Sequence, residues 1–223
     1  KGAVFLYKNS GSDIWWTLVE TLEPNVDANP SNNGNFGWDV AIDESNTLLV
    51  GAPFEDGRGA LFIYKEVASN SWIEFDKVAP GNGNNGDAFG FSVAIDDSIA
   101  LVGARNAGAA YIYEIPGGAN GEAVFKQLLT ANASGGALYG QSVALKDGRL
   151  AIGSPASNSV GSVYLYYQGK DGVWDLGERV LPSNSNGPTN VAIQYGAAVA
   201  VSKETLMVGA PKNDLNGTDS GSV

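Results

Sequence analysis

The chain has 223 residues, 43% hydrophobic and 17% charged, with 30 glycines; this is the composition of a turn-rich globular protein, long enough to bury a core. Thirteen basic against 24 acidic residues leave a formal charge of −11, so no nucleic-acid partner is expected. The absence of cysteine and histidine removes disulfides, thiolate zinc sites, thiol nucleophiles and the commonest general base. No apolar run approaches the roughly 20 residues that span a bilayer, so direct membrane insertion is not expected.

Lys1 to Tyr7, KGAVFLY, reads as a strand, and Ile14 to Leu22 as a second, with Trp16 and Leu22 six residues apart. Glu23 to Asn35 is a loop of Pro, Asn, Asp and Gly. Phe36, Trp38, Val40 and Ile42 then alternate with smaller or polar residues, which predicts a strand beginning at Phe36. A polar turn, Asp43 to Asn46, leads to Thr47–Val50, a run that suits a strand buried on both faces. The loop Phe54 to Gly59 precedes a third strand, Ala60 to Tyr64, and Trp72 to Val78 makes a fourth, again with Trp and an aliphatic residue six apart.

The same pattern returns. FGFSVAIDDSIALVGARNAGAAYIY runs from Phe89 to Tyr113, with a fourth strand near Val124 to Leu129. A third copy runs from Tyr139 to Tyr166, followed by Trp174 and Val180, and a fourth from Tyr195 to Val223. The aromatic-Gly marker sits at 36, 89, 139 and 195, at intervals of 53, 50 and 56. Four strands at such a period predict an all-β fold, a β-propeller of four-stranded antiparallel blades with about four blades' worth of chain. A β-sandwich would accommodate the strands but gives no reason for the recurrence.

The expected organisation is one propeller region over 1–223: a partial blade 1–35, blades 36–88, 89–138 and 139–194, and a partial blade 195–223. The chain opens in mid-repeat and without methionine, and Gly221-Ser222-Val223 occupies the motif position of Gly2-Ala3-Val4. Two arrangements are open, a four-bladed ring closed by its ends or an arc of a longer run of repeats, and the repeated third-strand start favours the arc.

These residues resemble the FG-GAP repeat, found in the β-propeller of integrin α subunits and in many secreted proteins. Phe36-Gly37 with Gly51-Ala52-Pro53 is the full motif; Phe89-Gly90 pairs with Gly103-Ala104-Arg105, Tyr139-Gly140 with Gly153-Ser154-Pro155, and Tyr195-Gly196 with Gly209-Ala210-Pro211. The resemblance implies a seven-bladed parent ring. The motif residues read as structural: rings that fill the wedge between blades and glycines that permit close approach or positive φ. The resemblance also implies calcium in a DxDxDG turn between the first two strands. Here those turns, Asp43-Glu44-Ser45-Asn46, Asp96-Asp97-Ser98, Lys146-Asp147-Gly148 and Ser202-Lys203-Glu204, are too short and too poor in acid. The calcium sites are therefore not carried over; weaker calcium candidates are Asn82, Asn84 and Asp87, and no other cofactor is expected.

No catalytic constellation stands out, and no catalytic residue is assigned. The acidic pairs Asp96-Asp97 and Glu55-Asp56 read as solvated turn acids. Two sequons, at Asn132 and Asn216, are the N-glycosylation candidates. The expected function is a non-catalytic extracellular or cell-surface adhesion or interaction module. Its variable loops, 23–35, 54–58, 79–88, 130–137 and 182–194, would face a protein or glycan partner, or further copies of the same assembly. The alternatives are an accessory region of a secreted hydrolase and a calcium-stabilised glycan-binding propeller.

Overall fold

A computed structural model describes residues 2–9, 11, 15–24, 34–118, 121–131, 137–157, 160–183, 193–212 and 221–222. Sixteen strands are described, in five sheets. An N-terminal half-blade holds β1 (Val4–Asn9) and β2 (Trp16–Leu22). Three full blades follow: β3 (Val40–Ile42), β4 (Thr47–Ala52), β5 (Ala60–Ala68) and β6 (Ser71–Val78); β7 (Phe89–Asp96), β8 (Ile99–Ala104), β9 (Ala109–Glu114) and β10 (Val124–Thr130); β11 (Ser142–Lys146), β12 (Arg149–Ser154), β13 (Ser162–Gln168) and β14 (Trp174–Val180). A C-terminal half-blade holds β15 (Ala198–Val201) and β16 (Leu206–Gly209). Each full blade is an antiparallel meander with its strands in chain order, and the whole is a partial β-propeller.

The second strand of each full blade is the centre of its core. All six residues of β4 are buried, and β8 and β12 bury all but their first, because neighbouring blades cover both faces. The inter-blade seams are built alike. Leu22 packs with Phe36, Phe62, Tyr64 and Trp72 in the first; Val78 with Phe89, Tyr111 and Tyr113 in the second; Leu129 with Tyr139, Tyr164, Tyr166 and Trp174 in the third.

The strand expected from Phe36 begins four residues later, at Val40. The residue before each aromatic has positive φ (Asn35, Ala88, Leu138 and Gln194), and so does each following glycine, from +83° to +92°. Two left-handed residues around one aromatic make a kink that drives the ring inward: Phe36, Phe89 and Tyr139 are buried while Trp38, Val40 and Ile42 are exposed. Only in β7 does the strand reach back to its aromatic, across an irregularity between Phe89 and Ser92.

The half-blades form separate sheets. Ala210 exchanges backbone hydrogen bonds with Ser222, at 2.8 and 3.0 Å, in the place where Ala60 pairs with Ala52 in the first full blade. Ser222 therefore stands where a ring-closing Ala3 would have to pair. Val40 and Ile42 on the first strand of the first full blade, and Met207 in the C-terminal half-blade, are exposed.

Candidate binding surface

A repeated set of polar ties holds each blade to the next and so fixes where the loops sit. On the innermost strands Asp39 accepts the Val93 N–H at 2.8 Å, and Ser92 and Ser142 donate to the Gly140 and Gly196 carbonyls at 2.9 and 2.8 Å. Burial pushes the Asp39 carboxyl up from its ordinary value, against the lowering effect of the N–H groups of Val93 and Val40. On the outermost strands Glu20 accepts the Trp72 N–H at 3.1 Å, Asp76 that of Ala123 at 2.8 Å and Gln127 that of Trp174 at 2.9 Å; Gln127 also donates to the Trp174 carbonyl. Sequence reading missed these ties; the signal for them is a polar residue at matching repeat positions, three after the aromatic (39, 92 and 142) and four after Trp16, Trp72 and Ala123 on the outer strands.

Four antiparallel strands per blade bring the second-to-third-strand loops and the blade-to-blade connections to one end of the arc. Segments 54–58 and 79–88 meet there: the Gly86 N–H donates to the Gly57 carbonyl at 2.7 Å, and the Phe89 N–H to Arg58 at 3.0 Å. A row of rings crosses this end. Phe54 and Trp38 lie edge to face at 6.2 Å, Trp38 and Phe91 are tilted against each other at 5.2 Å, and the Arg105 guanidinium covers Phe91 at 3.9 Å. Arg105 Nε is buried and has no hydrogen-bond partner among the described residues. Trp38 and Phe54 are 48% and 41% exposed, so the row offers flat apolar faces beside a cation, chemistry suited to stacking and to binding planar or anionic groups.

The row uses positions where the repeats differ. Trp38 and Phe91 correspond to Gln141 and Ala197, Arg105 to Pro53, Pro155 and Pro211, and Phe54 to Asn106, Ala156 and Lys212. Sequence reading singled out the loops but missed Trp38 and Phe91, assigned to a strand, and passed over Arg105 as a broken motif.

The motif glycines lie at the seams. A Cβ on Gly51, Gly103 or Gly153 would stand 2.1 Å from the carbonyl oxygen of Gly90, Gly140 or Gly196 in the following blade. The calcium candidates Asn82, Asn84 and Asp87 share one loop. Asp87 accepts the Asn84 N–H at 2.6 Å, and Asn82 Oδ1 lies 3.5 Å from the Tyr111 hydroxyl. Among the described residues no three Asp or Glu side chains gather in a metal-holding group. Of the turn acids read as solvated, Asp56 and Asp97 are exposed; Asp96 nevertheless takes Lys146 Nζ and the Asp147 N–H, both at 2.7 Å, and Glu55 and Asp56 take Lys77 at 2.8 and 3.2 Å. Asp96 meets Lys146 because adjacent blades set their first turns side by side. Asn132 and Asn216 lie outside the described residues.

A profile of the FG-GAP repeat matches residues 16–64, 72–113 and 191–223, more than half of the chain. The chain belongs to the FG-GAP repeat family. The copy from Tyr139 to Tyr166 falls between the matched stretches, yet it folds as a full blade with the same kink and seam. No curated protein matches the chain. FG-GAP repeats mark propellers that serve, in general, as protein-interaction modules; they are typically non-catalytic and typical of extracellular or surface proteins. Among the described residues no helix is long and apolar enough to cross a membrane.

Proposed function

We propose that this FG-GAP protein is a non-catalytic extracellular adhesion or interaction module whose loop end meets a protein or glycan partner. The supporting observation is the row Phe54–Trp38–Phe91–Arg105. It spans two blades, exposes two large rings, and is built from positions at which the repeats differ, Arg105 standing where the other three copies have the motif proline. A scaffold that repeats its seams while varying one end is organised to present that end.

The test immobilises the chain and screens extracellular proteins and glycans for retention, comparing wild type with Trp38→Ala/Phe54→Ala. Both side chains are substantially exposed, so the fold should survive. Loss of two central rings is expected to weaken a retained partner by about tenfold or more. Retention unchanged in the double variant, or mapping to the opposite end at Asp43 and Asp96, would overturn the assignment.

A further inference from the structure

The three seams differ at one place on the outer rim. In the first and third full blades a tryptophan opens the fourth strand and is buried against the preceding blade: Trp72, 8% exposed, with Phe62 and Tyr64, and Trp174, 3% exposed, with Tyr164 and Tyr166. In the second full blade that position is Ala123. The correspondence follows from the ties, since the backbone N–H groups of Trp72, Ala123 and Trp174 are bound by Glu20, Asp76 and Gln127 in turn.

Two further positions change with it. Lys77 and Arg179 hold cations over the Phe62 and Tyr164 rings, at 5.3 and 5.5 Å; Leu128 takes that position beside Tyr111. Glu74, opposite Tyr64 and accepting its hydroxyl at 3.4 Å, gives way to Phe125, opposite Tyr113. The seam between the first and second full blades is thus left open where its neighbours are filled. It forms a groove of about 730 Å³ with Tyr111, Tyr113 and Ala123 along one side and segment 76–82 along the other. Phe125 and Leu128, 52% and 39% exposed, also line it, and the Phe125 ring packs against Tyr111 and Tyr113 at 6.4 and 5.7 Å, covering part of their faces without closing the groove.

We propose that this groove receives the side chain of a tryptophan in a basic segment of a partner protein. The proposal rests on the reading of the chain as an interaction module and adds a second contact site, on the rim. The indole is argued from the molecule itself: the same framework of paired rings under an aliphatic residue encloses the chain's own indole in both sister seams. An aromatic ring set there would restore the burial that Ala123 forgoes. The basic flank follows from charge. Asp76 and Glu122 line the groove, while Lys77, the one cation among its described lining residues, has its ammonium drawn to Glu55 and Asp56. An acidic mouth with a flat apolar interior suits an aromatic side chain flanked by lysine or arginine.

The test uses 5-fluoroindole followed by fluorine NMR, and the peptide acetyl-Lys-Trp-Lys-amide compared with N-acetyltryptophanamide. The wild-type chain is expected to shift the 5-fluoroindole signal saturably. The peptide should bind several-fold more tightly than the neutral amide at low salt, a margin that closes at high salt. Ala123→Trp should abolish the shift while raising Tm, as its own indole fills the seam. Leu128→Lys, an exposed change that restores the sister-blade cation, should weaken fluoroindole binding and keeps the test decisive if Ala123→Trp does not fold. Absence of saturable binding, equal binding by Ala123→Trp or Leu128→Lys, or saturable binding of N-acetylglucosamine in place of the indole would overturn the proposal. If a partner is still lost on Trp38→Ala/Phe54→Ala while fluoroindole does not bind, the rim site falls and the loop-end reading stands.

Discussion

Replacing Gly103 with alanine tests how the blades are spaced. Gly103 lies in β8 without a left-handed φ, so alanine is not excluded by its own backbone, and relief of glycine's conformational entropy alone would favour it by about 0.5–1 kcal/mol. The obstacle is the next blade. The new Cβ would stand 2.1 Å from the Gly140 carbonyl oxygen and 2.3 Å from Ser92 Oγ, where ordinary contact begins at 3.4 Å. The seam must open by more than an ångström, against backbone that has no rotamer to change. Overpacking of this kind costs about 1–3 kcal/mol, and parting Ser92 Oγ from Gly140 removes a buried hydrogen bond worth about 1 kcal/mol. A net loss of about 1–3.5 kcal/mol, after the entropy gain is subtracted, corresponds to a Tm drop of roughly 2–14 °C for a chain of this size. The control is Gly209→Ala at the same motif position in the C-terminal half-blade, where the new Cβ meets nothing nearer than Ala198 Cβ at 3.4 Å; it should be neutral or slightly stabilising. Thermal and urea unfolding of the two variants, with Gly51→Ala and Gly153→Ala as replicates of the blocked position, decide the matter. Equal stability of Gly103→Ala and Gly209→Ala would refute the argument that inter-blade backbone approach is what requires glycine.

Gln127→Ala strands both the N–H and the carbonyl of Trp174, and urea unfolding should show a loss of about 1–3 kcal/mol. Gln127→Glu should cost less, because a carboxylate still accepts the Trp174 N–H as Glu20 and Asp76 do for their partners. Alkaline titration should couple to unfolding. Burial first, then the neighbouring Tyr111 and Asp76, pushes Tyr113 up to about 12, and burial also raises Tyr64 and Tyr139. Groups whose pKa is higher folded than unfolded stabilise fully below the ordinary tyrosine value of about 10. That contribution is lost as pH rises from there through about 12, since the unfolded chain releases protons that the folded chain retains. Unfolding free energy measured across this window should decline, with phenolate absorbance at the top of the window appearing together with loss of structure; constant stability over the window would contradict the assignment.

Much of the frame was legible because the physics behind it is local. A run such as Leu48-Leu49-Val50 bounded by glycine and proline has few solutions besides a buried strand. Four aromatic-Gly markers at one period supplied the blades, their count and the family. The strand misplaced at Phe36 shows the limit of alternation as a signal: Phe36, Trp38, Val40 and Ile42 are evenly spaced, but two left-handed residues turn the first ring inward, Trp38 lies against Phe91 of the next blade, and Val40 and Ile42 are left exposed. The partner of one turn acid was missed for a related reason. Asp96 looks solvated within its own turn and becomes a partner of Lys146 only when the next blade is set beside it.

What the sequence determined by itself was therefore the repeating part: strand order within a blade, the glycine and ring positions, and a chemistry without histidine or cysteine. The tertiary structure alone decided what lies between repeats. Residues about fifty apart are brought into register, so that Trp38 meets Phe91, Arg105 covers that ring, and Ala123 is revealed as the one seam position without its indole. Neighbour-to-neighbour contacts depend on how blades stack, and a single strand's pattern carries no record of what will stand opposite it.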